Sequence, residues 1–320
     1  KFKSSEYDLV DRTLPKLEPG QVLVKVYAAP LNPLDMIKIN GLFKGLQVPF
    51  TPGSEASGTV IDANVESRDK LIGKKVSALS LTGTWAEYIV ANVNQLVIHE
   101  DDVDLNQAAC GWVNPITAYG MFYLARSLKS DSLAVTAGNS AVGKMLLKIA
   151  VKENVPLISI VRSKKSKIAE LVALGQKEEH ILDSTDEDFE QQYNDLCQKL
   201  NTKCVFDCVA GPQVGILVGG LVRGGHYYNF GSLSGQPMGG IDPTSFRWGA
   251  KIIEGFASMN YVATLKPEEQ RSIYEYVEKN FKTVFTSTIS KTVKADPQEI
   301  AKTVEENGKS TSEGKVLITF

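Results

Sequence analysis

Leu133-Ala134-Val135-Thr136-Ala137-Gly138-Asn139-Ser140-Ala141-Val142-Gly143 is an apolar run that ends in small residues and opens a helical pattern. Apolar residues without alternation are what a strand buried on both faces requires. The helix that follows carries Val142, Leu146, Ile149 and Ala150 at i, i+4, i+7 and i+8, one face of a 3.6-residue period. Small residues where a strand turns into a helix let the turn close tightly. They also let a phosphate approach backbone N–H groups at the positive end of the helix. Ala137 and Ser140 stand in two of the glycine places of a dinucleotide-binding turn, and Gly143 holds the third. Taken alone, the stretch is weak evidence, and a glycine-rich helix entrance without a ligand is the plainer alternative.

Outward from it the alternation recurs. Leu157-Ile158-Ser159-Ile160-Val161 is a second buried strand, followed by a helical stretch over 164–174. Cys204-Val205-Phe206-Asp207, a helix from about Pro212, and Gly225-His226-Tyr227-Tyr228-Asn229-Phe230 continue the pattern. Repeated units of this kind predict an α/β fold with a Rossmann-type doubly wound parallel sheet. Arg162-Ser163-Lys164-Lys165 stands about 20 residues beyond the first turn, where NAD-binding proteins tend to place an acidic residue for the ribose hydroxyls. A guanidinium there can hold an adenosine 2′-phosphate through paired, charge-assisted hydrogen bonds, and a carboxylate would repel it. The cofactor expected is NADPH; a solvated basic loop is the plainer alternative.

The first third of the chain reads differently. Val22–Tyr27, Gly58–Asp62 and Trp85–Val90 are short β segments separated by Pro30, Pro33, Pro49 and Pro52, which suggests an antiparallel barrel or sandwich. After Tyr261 a helix over 267–279 leads to short β-like pieces, and Gly314–Phe320 is expected to return to the first domain. The predicted division is 1–113 with 262–320 as one domain and 114–261 as the other. At 320 residues, 43% hydrophobic and 22% charged, the chain can bury a sizeable core. A formal net charge of −2 gives no field that would gather nucleic acid or an anionic membrane. No apolar stretch reaches the roughly 18 residues of a membrane span, and Lys1–Asp8 lacks the apolar core of a secretory signal. An intracellular, soluble protein is expected, cytoplasmic, or mitochondrial if a transit peptide preceded this chain, which begins without Met. Cys110, Cys197, Cys204 and Cys208 are too spread for a disulfide framework. His99, His180 and His226 show no metal or triad spacing, and Ser310-Thr311-Ser312 reads as a solvated turn.

Asn32-Pro33-Leu34-Asp35, Pro52-Gly53-Ser54-Glu55-Ala56-Ser57-Gly58, Asn114-Pro115-Ile116-Thr117-Ala118-Tyr119, Phe206–Gly211 and Glu313–Leu317 complete the set. With the 139–143 turn and Ile160-Val161-Arg162, these segments resemble the zinc-independent medium-chain dehydrogenase/reductases. The resemblance is to the quinone oxidoreductase and mitochondrial-type trans-2-enoyl-CoA reductase branch, and it covers nearly the whole chain. It implies a GroES-like β-barrel domain beside the Rossmann domain. It also implies hydride transfer from NADPH to an activated C=C or quinone, a small-molecule electrophile, and a homodimer.

By the same resemblance, Asn114 and Thr117 lie near the nicotinamide, and Asn139, Ser140, Ala141, Val142 and Gly143 against the pyrophosphate. Arg162, Ser163 and Lys164 take the 2′-phosphate. Phe230, Gly231, Ser232, Leu233, Phe256, Ala257, Ser258 and Lys315 close over the cofactor. Zinc alcohol dehydrogenases resemble this family but carry Cys and His in the first two motifs. Here Ser54 holds the His place and no Cys precedes Cys110, so no metal is expected. The branch carries a proton-donating Tyr a few residues past its first motif, and here that place is Phe43. Protonation then comes from solvent, or the substrate is a quinone, or the protein is a catalytically weak or inactive nucleotide-binding subunit of a larger assembly. The favoured reading of Phe43 is the lining of an apolar pocket, in which an added hydroxyl would go unsatisfied. Tyr119 is a substitute donor or a packed aromatic, and Asn32 is a second substrate-site candidate.

Overall fold

A computed structural model describes residues 7–43, 45–80, 82–307 and 314–320. The chain forms two compact units, Lys1–Ile116 with Arg271–Phe320, and Thr117–Gln270. The Ser310–Ser312 turn, Lys1–Glu6, Lys44 and Glu313 lie outside the described residues.

In the first unit the strands are β1 Gln21–Pro30, β2 Glu55–Ala63, β3 Lys75–Leu79, β4 Tyr88–Asn92 and β5 Val97–Ile98, joined late in the chain by β12 Ile289–Lys294 and β13 Lys315–Thr319. They form one seven-stranded sheet in the order β12-β13-β1-β2-β3-β5, with β4 also paired to β1. All the pairings are antiparallel except that of β12 with β13. The sheet is organised around β1, which pairs β2, β4 and β13 along its length. Two register shifts against β2, at Leu23/Val24 and Val26/Ala28, supply the bends that let one strand serve three partners. Val22, Val24, Val26, Ala56, Val60, Val76, Ala78 and Ile89 pack inside this curved sheet. The C-terminal strand returns to β1 as the sequence predicts, with Ala29 opposite Ile318. The third expected strand begins at Tyr88, because Trp85–Glu87 run as irregular backbone.

Short helices α1 Pro33–Ile39, α2 Arg68–Leu71 and α3 Leu105–Ala108 connect the strands. Helix α4, Val113–Ser127, carries the chain from the first unit into the second.

The second unit alternates strand and helix: β6 Ser132–Thr136, α5 Ala141–Lys152, β7 Leu157–Val161, α6 Lys164–Ala173, β8 Ile181–Asp183, α7 Phe189–Lys199, β9 Thr202–Asp207, α8 Val214–Gly220 and β10 His226–Asn229. Helix α9 Pro243–Trp248, β11 Ile252–Gly255 and α10 Ser258–Thr264 complete it. Helix α11, Pro267–Val284, leads back into the first unit, and α12 Pro297–Asn307 follows β12. All six strands are parallel, in the order β11-β10-β9-β6-β7-β8. This is the doubly wound Rossmann order, reversing between β6 and β9. Strands β6 and β7 are buried at every position, as their unalternating sequence requires. One face of the sheet packs on α7 and α8 through Ile158, Val205, Tyr193, Leu196, Leu217 and Val218.

Candidate nucleotide and reductase site

In open parallel sheets, ligands sit beyond the carboxyl ends of the strands, where the strand order reverses. Each nucleotide-site candidate of the second unit, Thr117 on α4 excepted, follows such an end. Asn139–Gly143 follow β6, Arg162–Lys164 follow β7, Phe230–Leu233 follow β10 and Phe256–Ser258 follow β11.

At the first turn Gly138, not Ala137, makes the close approach. A Cβ on Gly138 would stand 2.8 Å from the Ser159 Cβ on β7, and one on Gly143 would stand 2.5 Å from the Gly138 carbonyl oxygen. Both positions therefore exclude a side chain. Gly138, Ser140 and Gly143 also have the spacing of the dinucleotide motif, which corrects the assignment of Ala137 to a glycine place. Ala137 nevertheless adopts a left-handed φ of 48°. Ser140, in the remaining place, is the N-cap of α5, and its Oγ accepts the Gly143 N–H at 3.1 Å. That hydroxyl keeps its own proton to donate. The first-turn N–H groups of Ala141 and Val142 have no intrahelical acceptor. Small residues, helix-terminal donors and a spare hydroxyl together fit a dinucleotide pyrophosphate.

Arg162 and Ser163 are exposed and Lys164 is half-buried. Ser163 sits in the left-handed region (φ 59°, ψ 58°) and gives α6 no side-chain cap. The cap comes instead from Asp183 at the end of β8. Its Oδ2 accepts the Lys164 N–H at 2.6 Å, and its Oδ1 accepts the Ser163 N–H at 3.2 Å and the Thr185 N–H and hydroxyl at 3.0 and 2.7 Å. Burial works to raise the Asp183 carboxyl, but these donors outweigh it and hold it below the ordinary carboxylate range.

Where the strand order reverses, Asp207 is fully buried. Its carboxylate accepts from the Thr136 hydroxyl on β6 (2.6 Å), the Tyr227 hydroxyl on β10 (2.6 Å), and the Val209 and Ala210 N–H groups (2.8 and 3.0 Å). One side chain thus ties three adjacent strands. The neighbouring Asn229 amide donates to the Asp207 and Gly231 carbonyls and shapes the chain into Phe230–Leu233. Phe256 is buried edge-on against Phe206, so it offers a ligand its backbone rather than its ring. Leu233 is 64% exposed. The Thr117 hydroxyl donates to the Ser258 hydroxyl at 2.9 Å, joining two candidates. Tyr119 packs on Phe122 and Tyr123, and burial pushes its phenol up to about 12. An open cleft of about 650 Å³ is lined by Tyr228, Phe230, Phe256 and Tyr261.

The first unit carries a separate polar network. Asn32 is buried, and its amide donates to Glu55 Oε1 at 2.9 Å while its Oδ1 accepts from Lys315 Nζ. Glu55 Oε2 accepts the N–H groups of Trp112 (2.9 Å) and Val113 (2.8 Å), where α4 begins. Ser54 donates to Asp35 at 2.7 Å, and Asp35 caps α1 through the Asn32 N–H at 2.8 Å. Burial raises both carboxyls; Lys315 and the hydrogen bonds oppose it without cancelling it. Among the described residues, no group of three or more His, Cys, Asp and Glu side chains converges as a metal site would require. Asn114, in the first turn of α4, is half-buried. Phe43 is 45% exposed, with the Lys38 ammonium 6.0 Å from its ring centroid. In this chain the residue is thus partly open and not enclosed in an apolar pocket, which departs from the expectation.

Sequence reasoning missed Asp183, and it read Glu55 and Asp207 only as members of motifs. Asp183 and Glu55 act on backbone N–H groups brought near by the fold, and Asp207 on the hydroxyls of Thr136 and Tyr227 from the neighbouring strands.

Residues 18–101 match the alcohol dehydrogenase GroES-like domain. The chain is 31% identical over 229 residues to a mitochondrial enoyl-[acyl-carrier-protein] reductase of Caenorhabditis elegans, covering 70% of this chain and 64% of that protein. It is 29% identical over 237 residues to the protein of that name from Homo sapiens, covering 72% and 63%. The match thus spans slightly less than two thirds of these relatives. Among solved structures, a candidate NADPH:quinone reductase from Mesorhizobium loti superposes with a TM-score of 0.82 at 28% identity, over 96% of this chain and 88% of that one. No described helix is long and apolar enough to cross a membrane. A GroES-like domain, a doubly wound parallel sheet and relatives of these names converge on one likeness: the chain is similar to the medium-chain dehydrogenase/reductases, among them enoyl and quinone reductases.

Proposed function

We propose that the protein is a zinc-independent, NADPH-dependent oxidoreductase that reduces an activated C=C or a quinone. The observation that carries the cofactor choice is Arg162, an exposed cation at the end of β7, which follows the turn shaped for a pyrophosphate in chain order. The names of the relatives, enoyl reductase and NADPH:quinone reductase, support the substrate class. Bound NADPH would supply the hydride. The chain's own work is orientation. Ser140 and the first turn of α5 receive the pyrophosphate, and Arg162 with Lys164 receives the 2′-phosphate. Asn114 and Thr117 face the nicotinamide half. Holding two reactants in register is worth several orders of magnitude in rate.

Zinc independence is supported by the donor set. Ser54 holds the place of a ligand and spends its hydroxyl on Asp35, and a hydride acceptor already polarised by a carbonyl needs no Lewis acid. A homodimer is supported by β11, which ends the parallel sheet and exposes Ile252, the kind of edge another strand can extend. The names of the curated relatives favour a mitochondrial location.

Phe43 keeps one rival reading in play, a nucleotide-binding subunit with little catalysis. The purified protein should be mixed with NADPH and, in turn, crotonyl-CoA, a phenanthrenequinone and an alkenal, and nicotinamide absorbance followed. Turnover of at least one acceptor is expected. Binding of NADPH without consumption by any of them would favour the rival.

A further inference from the structure

The loop after β7 is built in an unusual way, and the way it is built bears on how it selects a dinucleotide. Its central residue, Ser163, holds a left-handed backbone (φ 59°, ψ 58°), a conformation that costs any residue other than Gly and needs support from its surroundings. Ser163 does not cap its own helix. The support comes from Asp183, 20 residues away at the end of the neighbouring strand, whose carboxylate takes the N–H groups of Ser163 and Lys164 and is itself steadied by Thr185. A helix N-terminus ordinarily offers its N–H groups and positive pole to a phosphate. Here a carboxylate already takes the first two of these N–H groups, those of Ser163 and Lys164, so less of the backbone of α6 is left to give an anion.

We propose that Asp183 is a positioning residue that determines dinucleotide choice. By occupying the start of α6 it shifts discrimination toward side-chain cations, and by pinning Ser163 it sets the direction in which Arg162 leaves β7. This deepens, and rests on, the NADPH reading. Asp183 touches no cofactor atom in this scheme and acts only through the backbone of its neighbours. Arg162 and Lys164 lie on either side of the pinned residue, so loosening it misdirects both cations together. NADH, which carries no 2′-phosphate, gains nothing from either cation and should not sense the change.

The test is the ratio of NADPH to NADH dissociation constants, measured by calorimetry on wild type, Asp183→Ala and Asp183→Asn. The wild type should favour NADPH. Asp183→Ala should lower that preference by about tenfold, the loss of one charge-assisted contact, with NADH affinity unchanged as the sign of an intact fold. Asp183→Asn keeps one acceptor and turns an NH2 toward the donors on the other side, so it should retain more of the preference than Asp183→Ala but not all of it. Equal losses for both dinucleotides, or an unchanged ratio in Asp183→Ala, would overturn the proposal while the NADPH reading stood. A rise in NADPH affinity in both variants would also overturn it, because Asp183 would then be repelling the phosphate. A wild type without preference would overturn the NADPH reading, and the proposal with it.

Discussion

Arg162 is exposed, so its replacement removes a charge without opening a cavity. A hydrogen bond to a charged group contributes on the order of 1.5–3 kcal/mol. Arg162→Ala should therefore weaken NADPH by roughly 10- to 150-fold and leave NADH nearly unmoved; fluorescence titration of both would check it. Phe43 invites the opposite experiment. Because its ring is partly in water, Phe43→Tyr should change thermal stability little, within about 0.5 kcal/mol. A positioned proton donor contributes about 10²–10⁴-fold. Turnover of crotonyl-CoA should rise, while quinone reduction, which can draw protons from solvent, stays level. Equal effects on both acceptors would show that the place does not serve proton transfer.

A third residue tests the barrel rather than the chemistry. Ser77 donates to the Ala108 carbonyl at 2.6 Å, so the 2.6 Å contact with His99 requires the ring to donate from Nε2. Buried against Phe281, His99 has its pKa lowered from 6.5 to about 4 by burial. The unfolded chain takes up a proton at higher pH than the folded one, so stability falls as pH drops below 6.5 and the loss is complete below about 4. By pH 4.5 the loss is about 2–3 kcal/mol. Denaturant unfolding at pH 7 and pH 4.5 should show this part of the acid sensitivity missing from His99→Phe.

Helix α4 is the element on which both the fold and the proposed chemistry lean. It begins on the Glu55 carboxylate, which takes the N–H groups of Trp112 and Val113, and a negative group belongs at that end of a helix. Glu55→Ala would remove the carboxylate that accepts from the buried Trp112 N–H and Asn32 amide and from the Val113 N–H, and a buried donor left unsatisfied costs about 1–3 kcal/mol. A loss of about 3–5 kcal/mol, read by denaturant unfolding, is the expected result. A loss below about 1 kcal/mol would show that water replaces the carboxylate.

The elements themselves were unequally legible. Strands β6 and β7 announced themselves because burial on both faces leaves no polar position to interrupt them. Strand β8 is three residues long and too short to show any period. Edge strand β11 is mostly exposed and so lacks the apolar signature. Helix α5 followed its expected face except at Val142, which is half-buried at the turn. The helix over 267–279 runs on to Val284.

For the whole molecule, chain order carried most of the information. The Rossmann order and the closing return of β13 to β1 follow from which segments alternate and which do not. The 139–143 turn and the basic loop could be read as well, because their chemistry lies within a few consecutive residues. The supports of the candidate site could not. Asp183, Asp207 and Glu55 each hold backbone N–H groups, and a backbone N–H leaves no mark on sequence. Glu55 reaches donors 57 and 58 residues away.

The central claim is that this fold passes hydride from NADPH to an activated acceptor. Its most direct measurement is a single-turnover reaction of excess enzyme with crotonyl-CoA and NADPH deuterated at both nicotinamide C4 positions, with the acyl product analysed by mass spectrometry and a quinone run in parallel by absorbance. One deuterium in the saturated thioester, or loss of NADPH absorbance with the quinone, is the expected result. Tight NADPH binding with no deuterium in the thioester and no absorbance change with the quinone would contradict it.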